Sequence, residues 1–360
     1  MTFTPPTQAC PGCGGHLVFN PETGTLKCHS CGNTQEFSTL ERPPKQTFSE
    51  PDYENDSCAE ATRLEVQCPG CGGHIEMEPN LFAENCPYCD APLVALEECT
   101  RQHKPAALLP FAVSTEKART LYKDWLNGRW FLPSAVKKEY VTHPLQGRYM
   151  PFWAYDTSAT TDYTGERGEY YYVTVSYTTT ENGKQVTKNR RERRTRWYPA
   201  SGTVHNNFTD LLITASTSLP KDLQDELEPW GLENLSEYAA DYLRGFQAET
   251  YSRDAGQCFE EAKEKAQPAI RHKVERDIGG DEQKIHSMDS LFHHTAFQPL
   301  LLPLYLSMMQ WNGKQYRFLV NARTGEVQGE RPWSAVKITF FVLFWLAVIA
   351  GIIWFILQHK

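Results

Sequence analysis

The chain has 360 residues, 40% of them hydrophobic and 22% charged, with a formal net charge of −8 from 36 Lys and Arg against 44 Asp and Glu. The length allows two or three domains, the composition excludes wholesale disorder, and the acidic balance excludes a protein that coats nucleic acid with positive charge over its whole surface. Ten of the 11 cysteines lie before residue 100 and Cys258 stands alone beyond them, a distribution unlike that of a small secreted disulfide scaffold.

In chain order, the N-terminus lacks the basic and apolar stretches of a signal peptide. Two cysteine clusters follow. Cys10-Pro-Gly-Cys13-Gly-Gly-His16 is completed by Cys28-His-Ser-Cys31, and Cys68-Pro-Gly-Cys71-Gly-Gly-His74 by Cys86-Pro-Tyr-Cys89; each has 14 residues between its two pairs, and all four cysteines recur at an offset of 58. A CxxC turn brings two thiolates to one side of a metal, and the glycine after it lets backbone N–H groups approach the sulfurs. Two such turns close a tetrahedral site. Leu17–Phe19, the turn 21–24 and Thr25–Lys27 supply a short hairpin between them. The expectation is two structural Zn2+ ions in two zinc ribbons, 1–37 and 62–97. The first is held by Cys10, Cys13, Cys28 and Cys31, the second by Cys68, Cys71, Cys86 and Cys89. Iron binds the same ligand type. His16, His29 and His74 are read as solvated or supporting residues, because four cysteines already fill each site. Cys58, Cys99 and Cys258 are read as ordinary thiols. Eight metal-bound thiolates imply a reducing compartment.

Residues 38–61 are polar, acidic and proline-bearing and read as a flexible linker. From 107 to 331 the pattern is that of a central mixed α+β domain with β-hairpins. Thr115–Gly128 carries Ala118, Leu121, Tyr122 and Trp125 at helical spacing. Tyr170–Thr180 is rich in strand formers, Asn182-Gly183 signals a tight turn, and Gln185–Tyr198 returns. Helices are expected over 220–247 and 254–276, the second with Phe259, Ala262, Ala266, Ile270 and Val274 on one face and a kink at Pro268. A last hairpin joins Leu304–Trp311 to Gln315–Val320. The echoing segments 109–113, 150–154 and 302–306 are expected to be core strands.

The returning strand holds Lys188, Arg190, Arg191, Arg193, Arg194 and Arg196, six positive charges in nine residues, opposite Tyr170, Tyr172 and Tyr177. Such an arm could bind single-stranded nucleic acid or anionic lipid headgroups, the latter worth about 1 kcal/mol per residue. It could also be a charged edge strand that blocks aggregation. His272, His286, His293 and His294 fall within 23 residues but fit no ligand spacing. There is no GxxxxGK[ST], GxSxG, HExxH or dinucleotide fingerprint, and Cys258 has no neighbouring histidine. No residue pattern points to an enzyme.

From Ile338 to Leu357 the chain runs 20 residues without a charge, Thr339 being the one hydroxyl. Twenty helical residues rise about 30 Å, the thickness of a bilayer core. A single-pass, tail-anchored protein is expected. Arg331 and Lys337 before the span and Lys360 after it are too evenly placed to orient it; the thiolates orient it, with the folded part in the cytoplasm at the inner membrane.

The paired ribbons, Tyr149–Asp156, Tyr163–Gly168, Arg196–Val204 and Val320–Ser334 resemble a bacterial family of tail-anchored double-zinc-ribbon proteins. Its members are often labelled primosomal protein N′ or replication-restart helicase-like, and they are similar to YdjG-type proteins. The resemblance covers nearly the whole chain. It implies PspA-type or SPFH/band-7 proteins as partners in a membrane-stress response. This chain lacks a nucleotide-binding motif and is too short for two motor domains beside the ribbons. The resemblance therefore implies a membrane-anchored adaptor or scaffold without helicase activity. The alternative is a membrane-tethered nucleic-acid-binding protein related to replication or transcription.

Overall fold

A computed structural model of the chain describes residues 9–37, 40–47, 64–68, 71, 74–77, 81–87, 91–94, 104–137, 145–181 and 184–358. The first cysteine segment forms β1 (Leu17–Asn20), β2 (Thr25–Cys28) and β3 (Thr34–Gln35), a small antiparallel sheet in that order. The expected turn closes β1 on β2, with Gly24 at φ 67°, a left-handed conformation that glycine adopts without strain. In the second segment β5 (Leu64–Gln67) pairs with β6 (His74–Met77), and β7 (Leu81–Asn85) with β8 (Pro92–Val94).

The rest is mixed α/β around an 11-stranded sheet. β9 (Ala107–Leu108) leads into α1 (Thr115–Asn127), whose Ala118, Tyr122 and Leu126 are buried. Then come β10 (Gln146–Glu181) and β11 (Lys184–Thr214), far longer than the expected hairpin, whose turn Asn182-Gly183 lies outside the described residues. After α2 (Lys221–Asp225) and two 3-10 turns with β12 (Ser236–Glu237) between them, β13 (Gln247–Glu249) pairs with both β10 and β7 and so ties the second cysteine segment into the sheet. α3 (Ala255–Ile278) is capped by Asp254, whose Oδ1 accepts from Gln257 N at 2.7 Å, and runs through Pro268. β14 (Glu282–Trp311), β15 (Lys314–Asn321), β16 (Val327–Gly329) and α4 (Ala335–Gln358) complete the chain.

β10 and β14 form the spine of the sheet, antiparallel from Gln146↔Leu306 to Gly168↔Glu282. The echoing segments 150–154 and 302–306 lie on these two strands but staggered, meeting only at Met150↔Leu302; the third, 109–113, is not the expected core strand but follows β9 as irregular chain, with Leu109 N donating to Leu301 O and Ala112 N and Val113 N to Ala322 O. Residues 297–307 of β14 are buried throughout. Leu300, Leu302, Leu304 and Leu306 point to one core, while Leu301 and Tyr305 point to another. α3 covers the outer part of the sheet: Phe259 and Ala262 pack with Trp153, Tyr155 and Ile213, and Ala266, Ile270, Val274 and Ile278 with Ala159, Tyr163 and Val204.

Two further expectations are corrected. Residues 220–247 are not a helix. Pro229 lacks the N–H that a helix interior needs, and Gly231 and Gly245 take φ 69° and 90°. The apolar spacing is genuine, since Leu223, Leu227, Trp230 and Leu235 cover the Leu300–Leu306 face, but irregular chain delivers it. Secondly, described residues 40–47 of the stretch read as a linker are docked. β4 (Gln46–Thr47) pairs with β14. Arg42 makes a two-bond ion pair with Asp210 (2.7 and 3.2 Å) and donates to Gln298, while Lys45 pairs with Asp156 and, at 2.5 Å, with Asp210. Asp210 sits at φ 54° where the β10–β11 register shifts.

Burial alone would raise the Asp210 pKa, but Arg42 and Lys45 hold it below the usual carboxylate range. The docking is therefore at full strength above that range and is lost as pH falls through the depressed value. Asp210→Asn is expected to raise proteolytic cleavage within 38–61 about tenfold at neutral pH, the loss of a charge-assisted bond; an unchanged cleavage rate would show that β4 holds by main-chain pairing alone.

Candidate metal centres

The first centre is built from two turns of one design. The N–H of Cys10 donates to the carbonyl of Gly15, and that of Cys28 to the carbonyl of Asn33, both at 2.8 Å; Gly14 N returns to Cys10 O and Gly32 N to Cys28 O. Gly14 and Gly32, at φ 73° and 75°, follow the second cysteine of each pair, where a side chain would be strained. Each turn aims its sulfurs at the other. Cys10 Sγ lies 3.6 Å from Cys31 Sγ, and Cys13 Sγ 3.5 Å from Cys28 Sγ. All four sulfurs lie within 4.8 Å of one another. A tetrahedral ion with bonds of about 2.3 Å needs sulfurs about 3.8 Å apart, so the donor set fits one such ion. A side chain at Gly15 would meet Ser30 Oγ at 2.7 Å and Cys28 Sγ at 3.2 Å.

The electrostatics prepare part of the charge. The N–H of Gly12 leads in drawing the Cys10 thiol down to about 6, and that of Cys31 leads in lowering Cys28. Cys13 receives the N–H of Gly15, yet the Cys31 and Cys28 thiols crowding it push it up to about 12. Four thiolates in this space repel one another, and a cation bound at their centre is what lets all four ionise. Asn33 Nδ2, 3.9 Å from Cys10 Sγ, adds a weak donor that CxxC spacing does not reveal. His29 is exposed and His16 half-buried, and neither joins the sulfur group.

The second centre repeats the plan. Cys68, Cys71 and Cys86 form a group that could hold an ion, with Cys71 Sγ and Cys86 Sγ 3.8 Å apart. Cys86 N donates to Ala91 O at 2.8 Å, the same five-residue closure. Cys89 lies outside the described residues, as do Cys58 and Cys99. Cys68 and Cys86 are buried with Val66, Met77, Ala91 and Leu93 in a core of their own. Cys258 is buried in α3 against Thr214 O, away from both centres. His272, His286, His293 and His294 do not converge on a metal-binding group among the described residues.

The basic arm is a projecting ribbon. Pairing of β10 with β14 stops at Gly168, while the β10–β11 ladder continues to Glu181↔Lys184, about 40 Å further at strand spacing. Because side chains alternate, the arm is charged on both faces. Arg191 stacks on Tyr172 (4.9 Å) and Arg193 on Tyr170 (4.1 Å); on the other face Arg190 stacks on Tyr177 (5.7 Å) and Arg196 on Tyr171 (5.0 Å). Glu192 pairs with Arg190 and Arg194, whereas Lys188 lies opposite Tyr177. α4 is long and apolar enough to cross a membrane and buries no residue against the folded body.

No family model and no solved structure matches the chain. It is similar to the uncharacterized protein YdjG of Bacillus subtilis (strain 168), 25% identical over 345 residues, covering 95% of this chain and 93% of that protein. The likeness spans almost the whole of both chains, so it is one of the entire arrangement and not of a single segment.

Proposed function

We propose that the protein is a membrane-anchored scaffold. α4 spans the inner membrane once, and two zinc ribbons and the sheet face the cytoplasm. Cys10, Cys13, Cys28 and Cys31 hold one zinc ion, and Cys68, Cys71, Cys86 and Cys89 the other. The observation that carries this reading is the exposure of α4: a soluble protein buries an apolar helix of this length, and this one has no residue buried. The four-sulfur spacing supports zinc, and thiolate ligation supports the reducing side of the membrane. The zinc supplies folding energy, since segments this small have little core of their own. PspA-type and SPFH/band-7 proteins are the partners to test first, by the resemblance set out above.

A second reading has one observation in its favour. Arg191 and Arg193 stack on tyrosines and have no carboxylate within 4 Å among the described residues, an array suited to bases and phosphates. Purification of the tagged full-length protein from membranes in mild detergent, with and without nuclease, separates the two. Membrane-scaffold proteins recovered regardless of nuclease are the expected result. Nucleic acid, or partners lost on nuclease treatment, would instead make the arm the working surface and show steep salt dependence.

A further inference from the structure

Where α4 leaves the folded body, positive charge gathers without a paired carboxylate among the described residues. Lys337, in the first turn of α4, donates from Nζ to the carbonyls of Leu132 (2.8 Å) and Trp130 (3.1 Å). Lys137 is lowered first by burial and then by the charge of Lys337; Arg331 is lowered by burial and by Arg129. Arg129 stacks on Trp125 at 4.6 Å and Arg331 on Trp333 at 4.5 Å. The buried Nε of Arg129 has no hydrogen-bond partner. None of the four cations has a carboxylate within 4 Å among the described residues. Glu330, beside Arg331 in sequence, accepts from Arg317 N instead.

Large aromatics flank this charge at the level where the apolar helix begins. Trp130 and Trp333 are 57% and 58% exposed. Their rings join α4 through Phe341, 5.7 Å from Trp130 and 5.4 Å from Phe131, while Phe131 lies 6.0 Å from Trp333. Ser334 N donates to Phe131 O at 2.9 Å, pinning the helix entry to the 129–132 loop. Clustered like charges repel, and the arrangement keeps its cost until an anion sits among them. Exposed tryptophans suit the headgroup layer of a bilayer, where one edge of the ring is wet and the other apolar.

We propose that Arg129, Lys137, Arg331 and Lys337 form a binding site for the phosphate headgroup of an anionic phospholipid in the leaflet facing the folded body, with Trp130 and Trp333 seated in the headgroup layer. The site rests on the reading of α4 as a membrane span. It gives the anchor a lipid preference and fixes the folded body against the surface at the 129–132 loop, so that the body does not swing freely on the helix.

The test reconstitutes the full-length protein into vesicles of phosphatidylcholine alone or mixed with phosphatidylglycerol, re-extracts it in mild detergent, and identifies the retained lipid by native mass spectrometry. Wild-type protein is expected to retain phosphatidylglycerol over phosphatidylcholine about tenfold beyond their ratio in the vesicle. A variant with Arg129→Gln, Lys137→Gln, Arg331→Gln and Lys337→Gln is expected to lose that preference while staying in the membrane through an alkaline carbonate wash. An Arg129→Lys, Arg331→Lys variant keeps the charge and is expected to keep most of the preference, which separates headgroup binding from misfolding of the loop. No preference in the wild type, or an undiminished preference in the glutamine variant, would overturn the site. Release of the wild type by carbonate would overturn the membrane span itself, a different and distinguishable failure.

Discussion

Cys28→Ser is expected to lower the bound metal from two ions to one per chain and to lower the main unfolding transition of the whole folded body. Cys28 is fully buried, and its sulfur is one of four in the first centre. A serine hydroxyl is a poor zinc ligand, so most of the site's apparent binding energy, about 10–16 kcal/mol for structural zinc, is withdrawn from folding. The effect spreads because the first centre shares a core with the sheet. Cys10, Leu17, Phe19, Leu26 and Cys28 cluster with Phe111, Tyr149 and Tyr305. Phe19 and Phe37 pack on Tyr242 with ring centroids 5.2 and 4.8 Å away, and Phe19 N donates to Arg244 O at 3.0 Å. Cys71→Ser tests the contrast. Its centre has a separate small core, so this variant is expected to lose the other ion and unfold the second ribbon while the main transition shifts less. Metal analysis by mass spectrometry alongside thermal melting checks both. Two ions retained in either variant would contradict the ligand assignment.

The parts of the fold that were legible in the sequence are those fixed by local chemistry. The 58-residue repeat is written in CxxC spacing, and the described thiols of both sets come together at spacings that suit a tetrahedral ion. The α3 face of Phe259, Ala262, Ala266, Ile270 and Val274 is buried as its period implies. The apolar run of α4 has nothing competing with it. What escaped is what the tertiary environment decides. The strands of β10 and β11 extend far past the aromatic stretch because Thr, Ser and Asp on one side of the ladder stay wet while the other side packs under α3, so the hydrophobic signal thins without the strand ending. Leu223, Leu227, Trp230 and Leu235 mimic a helix, yet Pro229 and two left-handed glycines force another path to the same core. Residues 40–47 read as linker because Arg42 and Lys45 are polar; their partners Asp156 and Asp210 are more than 100 residues away. The charged collar at the foot of α4 is likewise assembled from two distant stretches, of which only Arg331 and Lys337 stand next to the span in sequence.

Arg148→Met is expected to destabilise the fold by about 3–5 kcal/mol, the usual cost of leaving a buried charge without its partner. Arg148 sits where β10 pairs in parallel with β13. Its guanidinium donates to Glu249 Oε1 at 2.6 Å and twice to Gln247 Oε1, at 2.6 and 3.1 Å. Glu249 is 1% exposed, and its other oxygen accepts from Ser216 Oγ and Ser218 Oγ, both at 2.7 Å. Two hydroxyls cannot replace a guanidinium in low dielectric, so the carboxylate loses its neutralising charge. Adding Glu249→Gln to Arg148→Met removes that stranded charge and is expected to recover a large part of the loss, a coupling that equilibrium denaturation of the single and double variants measures directly. Additive losses would mean that Arg148 acts through packing and its bonds to Gln247. The position matters for the proposed function because β13 carries the sheet from β10 to β7 and the second cysteine segment. On the proposed reading, in which the protein is a scaffold presenting two metal-bound modules in fixed relation to its membrane anchor, that junction has to be rigid. Under this reading, Arg148→Met releases the second module from the body while its metal remains bound, so protease sensitivity between the module and the sheet rises and the zinc content does not fall.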